Sequence, residues 1–253
     1  MSLHKIESVE EKLGLLKSCS ENPQFLRLYN SVLIDVNRWL PSVTYSFYSK
    51  NSENQDFEAT YYFGNAQAGP LSTTIAEVDG EFNESEFLKG WKQFEENFEI
   101  NVFTGRKIFA ESISKFYGSK NCNTHDLFCF YMNSNQRNEV LQDSPLNLPI
   151  GYSLGKPSDE DSLKIHNQWV HAKSNDPEQT KRKGLAAILE RQIQKEAVRR
   201  EMIPFKEINF DNLQVLARSR SDHFWTEQIP EVDDEHKNHG VVWWMRNCKE
   251  CHL

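Results

Sequence analysis

Lys181-Arg182-Lys183-Gly184-Leu185-Ala186 is the stretch on which the fold turns. Three cations and a glycine precede a long helix-forming run in which Leu185, Ile188, Leu189 and Ile193 share one face. The first turn of a helix leaves backbone N–H groups without partners, and the helix dipole adds partial positive charge there. Glycine lets the main chain approach an anion, and Ala186 adds little bulk. The pattern predicts a loop that wraps phosphate groups at a helix N-terminus. Around it, residues 181–206 carry eight basic and three acidic side chains, in a chain whose formal net charge is −8. A solvated helix face is the other reading of Arg191 to Arg200.

So acidic a chain, with a pI near 5.6, is a poor partner for nucleic acid or an anionic membrane. Its 38% hydrophobic and 12% aromatic content support a packed core. No apolar run reaches the length of a membrane span. Residues 1–12 include Glu7, Glu10 and Glu11, unlike a transit peptide, so a cytoplasmic location is expected. The five cysteines are scattered and do not read as a disulfide framework.

Upstream of the loop, helical and strand periodicities mix. Phe25, Leu28, Tyr29, Val32, Leu33 and Val36 fall on one helical face before Pro41. Val43, Tyr45 and Phe47 alternate as a strand, with further strands expected at 57–63 and 73–78. Phe87, Leu88, Trp91, Phe94 and Phe98 return to helical spacing behind Asn83 and Glu86, and 108–116 suggests another helix. Leu127 to Met132 reads as a buried strand. Residues 142–151, with two prolines and a glycine, read as a linker. A capping pattern follows at Ser158 to Asp161. Beyond the loop, a strand at 203–210, a helix at 211–220 and a strand at 241–245 are expected. The fold class is thus mixed α/β, with residues 1–141 and 152–253 as two units.

The loop pattern, a basic pair and then Gly-x-Ala opening a helix, resembles the acyl-CoA loop of the GNAT superfamily. Leu127-Phe128-Cys129-Phe130-Tyr131-Met132, Leu148-Pro149-Ile150-Gly151-Tyr152 and Ile165-His166-Asn167-Gln168-Trp169 are similar to glycine N-acyltransferase-like proteins, of the invertebrate type. So are Ile203-Pro204-Phe205-Lys206, Asn212 and Phe224-Trp225-Thr226. The resemblance implies tandem GNAT-like domains, the first degenerate and the second catalytic. It implies transfer of an acyl group from acyl-CoA to the amine of glycine or another small acceptor, with a carboxylate as base and no metal. Carried onto this chain, the cofactor contacts are Lys181, Arg182, Lys183, Gly184, Leu185, Ala186 and Asn212, and the base is Glu178 of Pro177-Glu178. Asn212 also reads as an ordinary helix cap, and Glu178 as a solvated loop carboxylate. A mitochondrial location is implied by the resemblance alone.

One departure bears on the chemistry. The family places a hairpin and a central strand between the helix ending near Trp169 and the acyl-CoA loop. Here Gly184 follows Trp169 by only fifteen positions, and the stretch between them is polar. Two or three strands with their turns need about 25–40 residues. The second unit is therefore expected to be shortened. This raises an alternative, a non-catalytic GNAT-like protein that binds a ligand or partner. A zinc site from His236, His239, Cys248 and Cys251 is a further possibility, against free thiols and histidines.

Overall fold

The computed structural model describes residues 2–20, 22–53, 58–118, 121–144, 185–228 and 241–246, with the backbone alone at 185 and 186. Among these, nine strands form one sheet and seven α-helices pack around it, so the chain is mixed α/β. The strands are β1 (His4–Ile6), β2 (Thr44–Asn51), β3 (Ala59–Ala68), β4 (Leu71–Gly80), β5 (Val102–Arg106), β6 (Cys122–Tyr131), β7 (Phe205–Asn209), β8 (Thr226–Glu227) and β9 (Val241–Arg246). Their order is β1-β2-β3-β4-β5-β9-β6-β7, with β8 beside the end of β6. All neighbours are antiparallel except β4 and β5.

Alternation along the strands divides the core into two layers. Phe47 of β2 and Ile75 of β4 face the helices α1 (Val9–Cys19) and α2 (Leu26–Val36), where Leu15, Leu28, Val32 and Leu33 are buried. Tyr48, Phe63, Ala76 and Val78 face the other way, toward α3 (Glu84–Glu95) and α4 (Lys107–Tyr117). Asn83 starts α3 by accepting from the Glu86 N–H at 3.1 Å. Phe87, Trp91 and Phe94 then recur at helical spacing, each fully buried against Phe63. Gly90 lies between them, and a Cβ there would stand 2.9 Å from the Phe63 ring. The helix can sit this close to the sheet only without a side chain at that position.

The remaining helices are α5 (Ser134–Gln142), α6 (Leu185–Arg199) and α7 (Leu213–Ser221), which pack around β6 and β7. Phe130, Met132, Val140, Ile208, Leu216, Phe224 and Trp225 form the apolar cluster there. The sheet crosses the sequence interval 142–151. β9, from the last part of the chain, lies between β5 and β6, both formed before that interval. Of the expected linker, residues 145–151 lie outside the described residues, as does the capping pattern at 158–161. β7 ends the strand order, with β6 as its sheet partner among the described residues. No helix among the described residues is long and apolar enough to cross a membrane.

Candidate functional site

α6 begins at Leu185, directly behind Gly184, so the basic triplet leads into a helix of 15 residues. Lys181, Arg182, Lys183, Gly184 and the candidate base Glu178 lie outside the described residues, while Leu185 and Ala186 open the helical backbone. The positive charge further along α6 is largely committed. Arg191 stacks over Phe224 at 3.8 Å and pairs with Asp222 at 3.3 Å and Asp143 at 3.4 Å. Lys206 and Arg218 converge on Glu190 at 2.6 and 2.9 Å. Lys195 donates to the Asp143 carbonyl at 2.6 Å, and Arg200 pairs with Glu196 at 2.9 Å. These contacts tie α6 to α5, α7 and β7 and use up charge that the sequence left open to an anion. Asn212 is the N-cap of α7, its side chain accepting from the Val215 N–H at 3.3 Å. An open cleft of about 510 Å³ lies between α6 and α7, lined by Ala187, Arg191, Gln194, Asp222 and Phe224 among others.

A second site has no counterpart in the sequence motifs. β4 and β5 pair only at Thr73–Val102 and Thr74–Phe103, and then part. β4 stays on β3 as far as Gly80, and β5 stays on β9 as far as Arg106. The result is a gap in the hydrogen-bonded ladder between 75–80 and 104–106. Continuing the register across it sets Glu77 opposite Arg106. Both side chains project toward α2, and Arg106 Nε stands 3.6 Å from Glu77 Oε2. Arg106 is also the N-cap residue of α4, whose first turn has no side-chain cap and no acidic residue.

Four charged side chains meet on this face of the sheet. Arg27 of α2, 4% exposed, donates from Nε and Nη2 to Glu207 Oε1 of β7 at 2.8 and 2.6 Å. Thr104 donates to the same oxygen at 3.3 Å, and Trp243 Nε1 of β9 donates to Oε2. Burial opposes the charge on Arg27, but Glu207 together with Cys129 and Glu77 outweighs it and holds the guanidinium pKa above its ordinary value. Glu77 is placed differently. It is 1% exposed, and neither oxygen has a hydrogen-bond partner among the described residues. Arg106 donates from Nη1 to Gln24 Oε1 at 3.2 Å, and its Nε and Nη2 have no hydrogen-bond partner among the described residues. The Cys129 thiol in the same layer is pushed up to about 11 by burial, which makes it inert as a nucleophile near neutral pH.

Burial raises the Glu77 pKa from 4.5 to about 7, although Arg106 and, less strongly, Arg27 favour its charged form. The folded state thus prefers the neutral carboxylic acid. Its contribution to stability is fully present below pH 4.5 and is lost as the pH rises through about 7. Glu77→Gln removes that dependence. At pH 8 the variant is expected to be more stable than the parent by roughly 3 kcal/mol, the gap falling below about 1 kcal/mol at pH 5. Urea denaturation at the two pH values reads this directly, and a gap that does not change with pH rules it out.

No protein-family model and no curated protein matches this chain. Among the described residues no group of three or more His, Cys, Asp or Glu side chains is arranged to hold a metal ion. His236, His239, Cys248 and Cys251 lie outside them. Sequence reasoning missed Glu77 because it sits in the weakest of the expected strands, with nothing around it to mark it. The available signal was a lone Glu among Ile75, Ala76 and Val78, a charge placed where a strand is about to be buried.

Proposed function

We propose that this protein is an acyl-CoA-dependent N-acyltransferase, moving an acyl group to the amine of glycine or another small acceptor. The observation that carries the reading is the parallel β4–β5 pair that parts after Thr74 and Phe103. Strands that part leave backbone N–H and C=O groups facing a gap, and such groups suit the amides of a pantetheine arm and a thioester carbonyl. The basic stretch Lys181 to Lys183 ahead of α6 supplies the charge that a cofactor's phosphates require. The motif resemblance over residues 127–226 names the chemistry. A tandem GNAT-like arrangement with a shortened second unit belongs to the same proposal.

A second reading, a non-catalytic protein that binds a ligand or partner, has its own support. The helix that follows the gap, α3, opens with Asn83, Glu84 and Glu86, and these carboxylates repel phosphate. The cations lead α6 instead, and the strand after α6 is β7, at the end of the strand order. The gap and the cationic loop are therefore on different elements.

Titration calorimetry with acetyl-CoA and benzoyl-CoA, together with thiol release in the presence of glycine, separates the readings. Binding with glycine-dependent thiol release is the expected result. Binding without release selects the second reading, and no heat at millimolar ligand removes the enzyme reading. Neutralising the triplet as K181Q/R182Q/K183Q is expected to weaken acyl-CoA binding roughly 10- to 100-fold. Unchanged affinity in that variant rules out the loop as the phosphate site.

A further inference from the structure

We propose that the first half of β6 is a docking edge at which a second copy of this chain pairs, antiparallel and about a twofold axis through Thr124. β8 and β9 flank β6 on one side and β7 on the other. The Gln228 N–H donates to the Cys129 carbonyl on the β8 side, and the Met132 N–H donates to the Pro204 carbonyl on the β7 side. Along a strand, successive residues turn their N–H and C=O groups to opposite sides. Residues 123, 125 and 127 therefore serve β9, while Cys122, Thr124 and Asp126 turn theirs away from it. β9 is arranged to match, since the Arg246 N–H goes to the Asn101 carbonyl rather than to Cys122 opposite. β7 covers only residues 127–131 of β6. Beside 122–126 no strand lies on that side among the described residues.

Exposure marks the same place. β6 is an inner strand of the sheet, yet Asn123, Thr124, His125 and Asp126 are all exposed. Over Thr124 an open groove of about 530 Å³ separates α4 from the sheet, lined by Ser114, Lys115 and Val242 among others. At the β7 end of the open stretch stands Phe210, 52% exposed and stacked on Phe128 at 4.2 Å. Open main-chain groups beside exposed apolar surface suit the addition of a strand.

A second copy fits this edge by length and by charge. Five residues are open. A twofold axis through Thr124 sets Cys122 against the partner's Asp126, Thr124 against the partner's Thr124, and Asp126 against the partner's Cys122. Each of these pairs exchanges two main-chain hydrogen bonds. On the opposite face, Asn123 lies across from the partner's His125. Asp126 is the only carboxylate in the stretch, so it meets a neutral residue and keeps its own Lys107 at 3.3 Å. Axes nearer β7 run the incoming strand into Asn209, and axes nearer Cys122 leave Asp126 unmatched. The inference is independent of the acyl-transfer reading.

Sedimentation velocity of the full chain, from micromolar to millimolar concentration, tests this. A concentration-dependent dimer is expected. Thr124→Pro removes an N–H that β9 does not use, so it is expected to abolish the dimer while circular dichroism shows the fold retained. Thr124→Lys, at an exposed position, sets like charges across the axis and is expected to weaken the dimer about 5-fold. Thr124→Cys brings two thiols together at the axis, where paired Cα atoms stand about 5.5 Å apart, within disulfide range. Mild oxidation of that variant is expected to give a dimer linked from 124 to 124, identified by peptide mass spectrometry. A parent chain that stays monomeric up to millimolar concentration overturns the proposal. So does a dimer that Thr124→Lys leaves unchanged, and so does one in which Thr124→Cys forms no such link.

Discussion

A chain ending at Gly240 is expected to lose cooperative unfolding altogether. The reason is where β9 sits. It pairs along its length with β5, from Val102–Met245 to Arg106–Val241, and with β6, from Cys122–Arg246 to Leu127–Val241. Without it, β5 and β6 each face a vacancy inside the sheet, and their backbone groups on that side lose their partners. The side chains matter as much. Val242 and Trp244 are fully buried under α3 and α4, and Val241 is buried in the layer facing α2. Trp244 also donates to Ser114 Oγ of α4 at 2.9 Å. Burying three such side chains contributes on the order of 5–9 kcal/mol, against a total stability of about 5–15 kcal/mol for a folded domain. The orphaned ladder adds to the loss. Trp244→Ala provides the graded control, with an expected cost of about 3–5 kcal/mol and folding retained. Guanidinium titration followed by circular dichroism checks both. A truncated chain that unfolds with a sharp midpoint close to the parent's refutes the first expectation.

The dependence on β9 also marks how far the sequence could be read. Val241 to Met245 is a plain apolar run, so its strand character was visible. Its position between two strands formed more than 100 residues earlier was not, because register across such distances leaves no local mark. The same division runs through the other elements. α2 and α3 announced themselves by apolar spacing, and Asn83 by its place before α3. α1 and α5 did not, since their apolar faces are weak and their signal lies in the caps. Ser8 with Glu11 and Asn133 with Gln136 form complete capping boxes, a pattern that can be read from sequence. β5 is five residues long and contains Gly105, and β1 has three residues, both too short for alternation to stand out. At the site, the cationic loop was legible because its residues are contiguous. Glu77 and Arg106 became a pair only because β4 and β5 are neighbours in the sheet, and Arg27 and Glu207 meet across 180 residues of chain.

That last pair carries the second large effect. Arg27→Met is expected to destabilise the fold by about 3–5 kcal/mol, because it leaves the Glu207 carboxylate in the interior without its cation. Thr104 and Trp243 still donate to Glu207, but neither supplies charge. The pair also anchors α2 to the approach to β7. One turn along the helix, Asn30 donates to the Ile203 carbonyl at 2.8 Å and accepts from the Ile203 N–H at 2.9 Å. Arg27 and Asn30 thus fix the same helix face to one segment, and a loosened Arg27 strains the second contact. The double variant R27M/E207Q removes the stranded charge while keeping an acceptor for Trp243, so it is expected to recover a substantial part of the loss. Urea denaturation of the two single variants and the double variant measures the coupling. A loss under about 1 kcal/mol for Arg27→Met contradicts the assignment of this pair as a structural bridge. The same variant reaches Glu77, whose charged form Arg27 favours. With the guanidinium gone, the Glu77 pKa is expected to rise, and the pH dependence of stability that it carries moves with it. The bridge that holds α2 to β7 therefore also lowers, though less strongly than Arg106 does, the pH at which the neighbouring carboxyl gives up its proton.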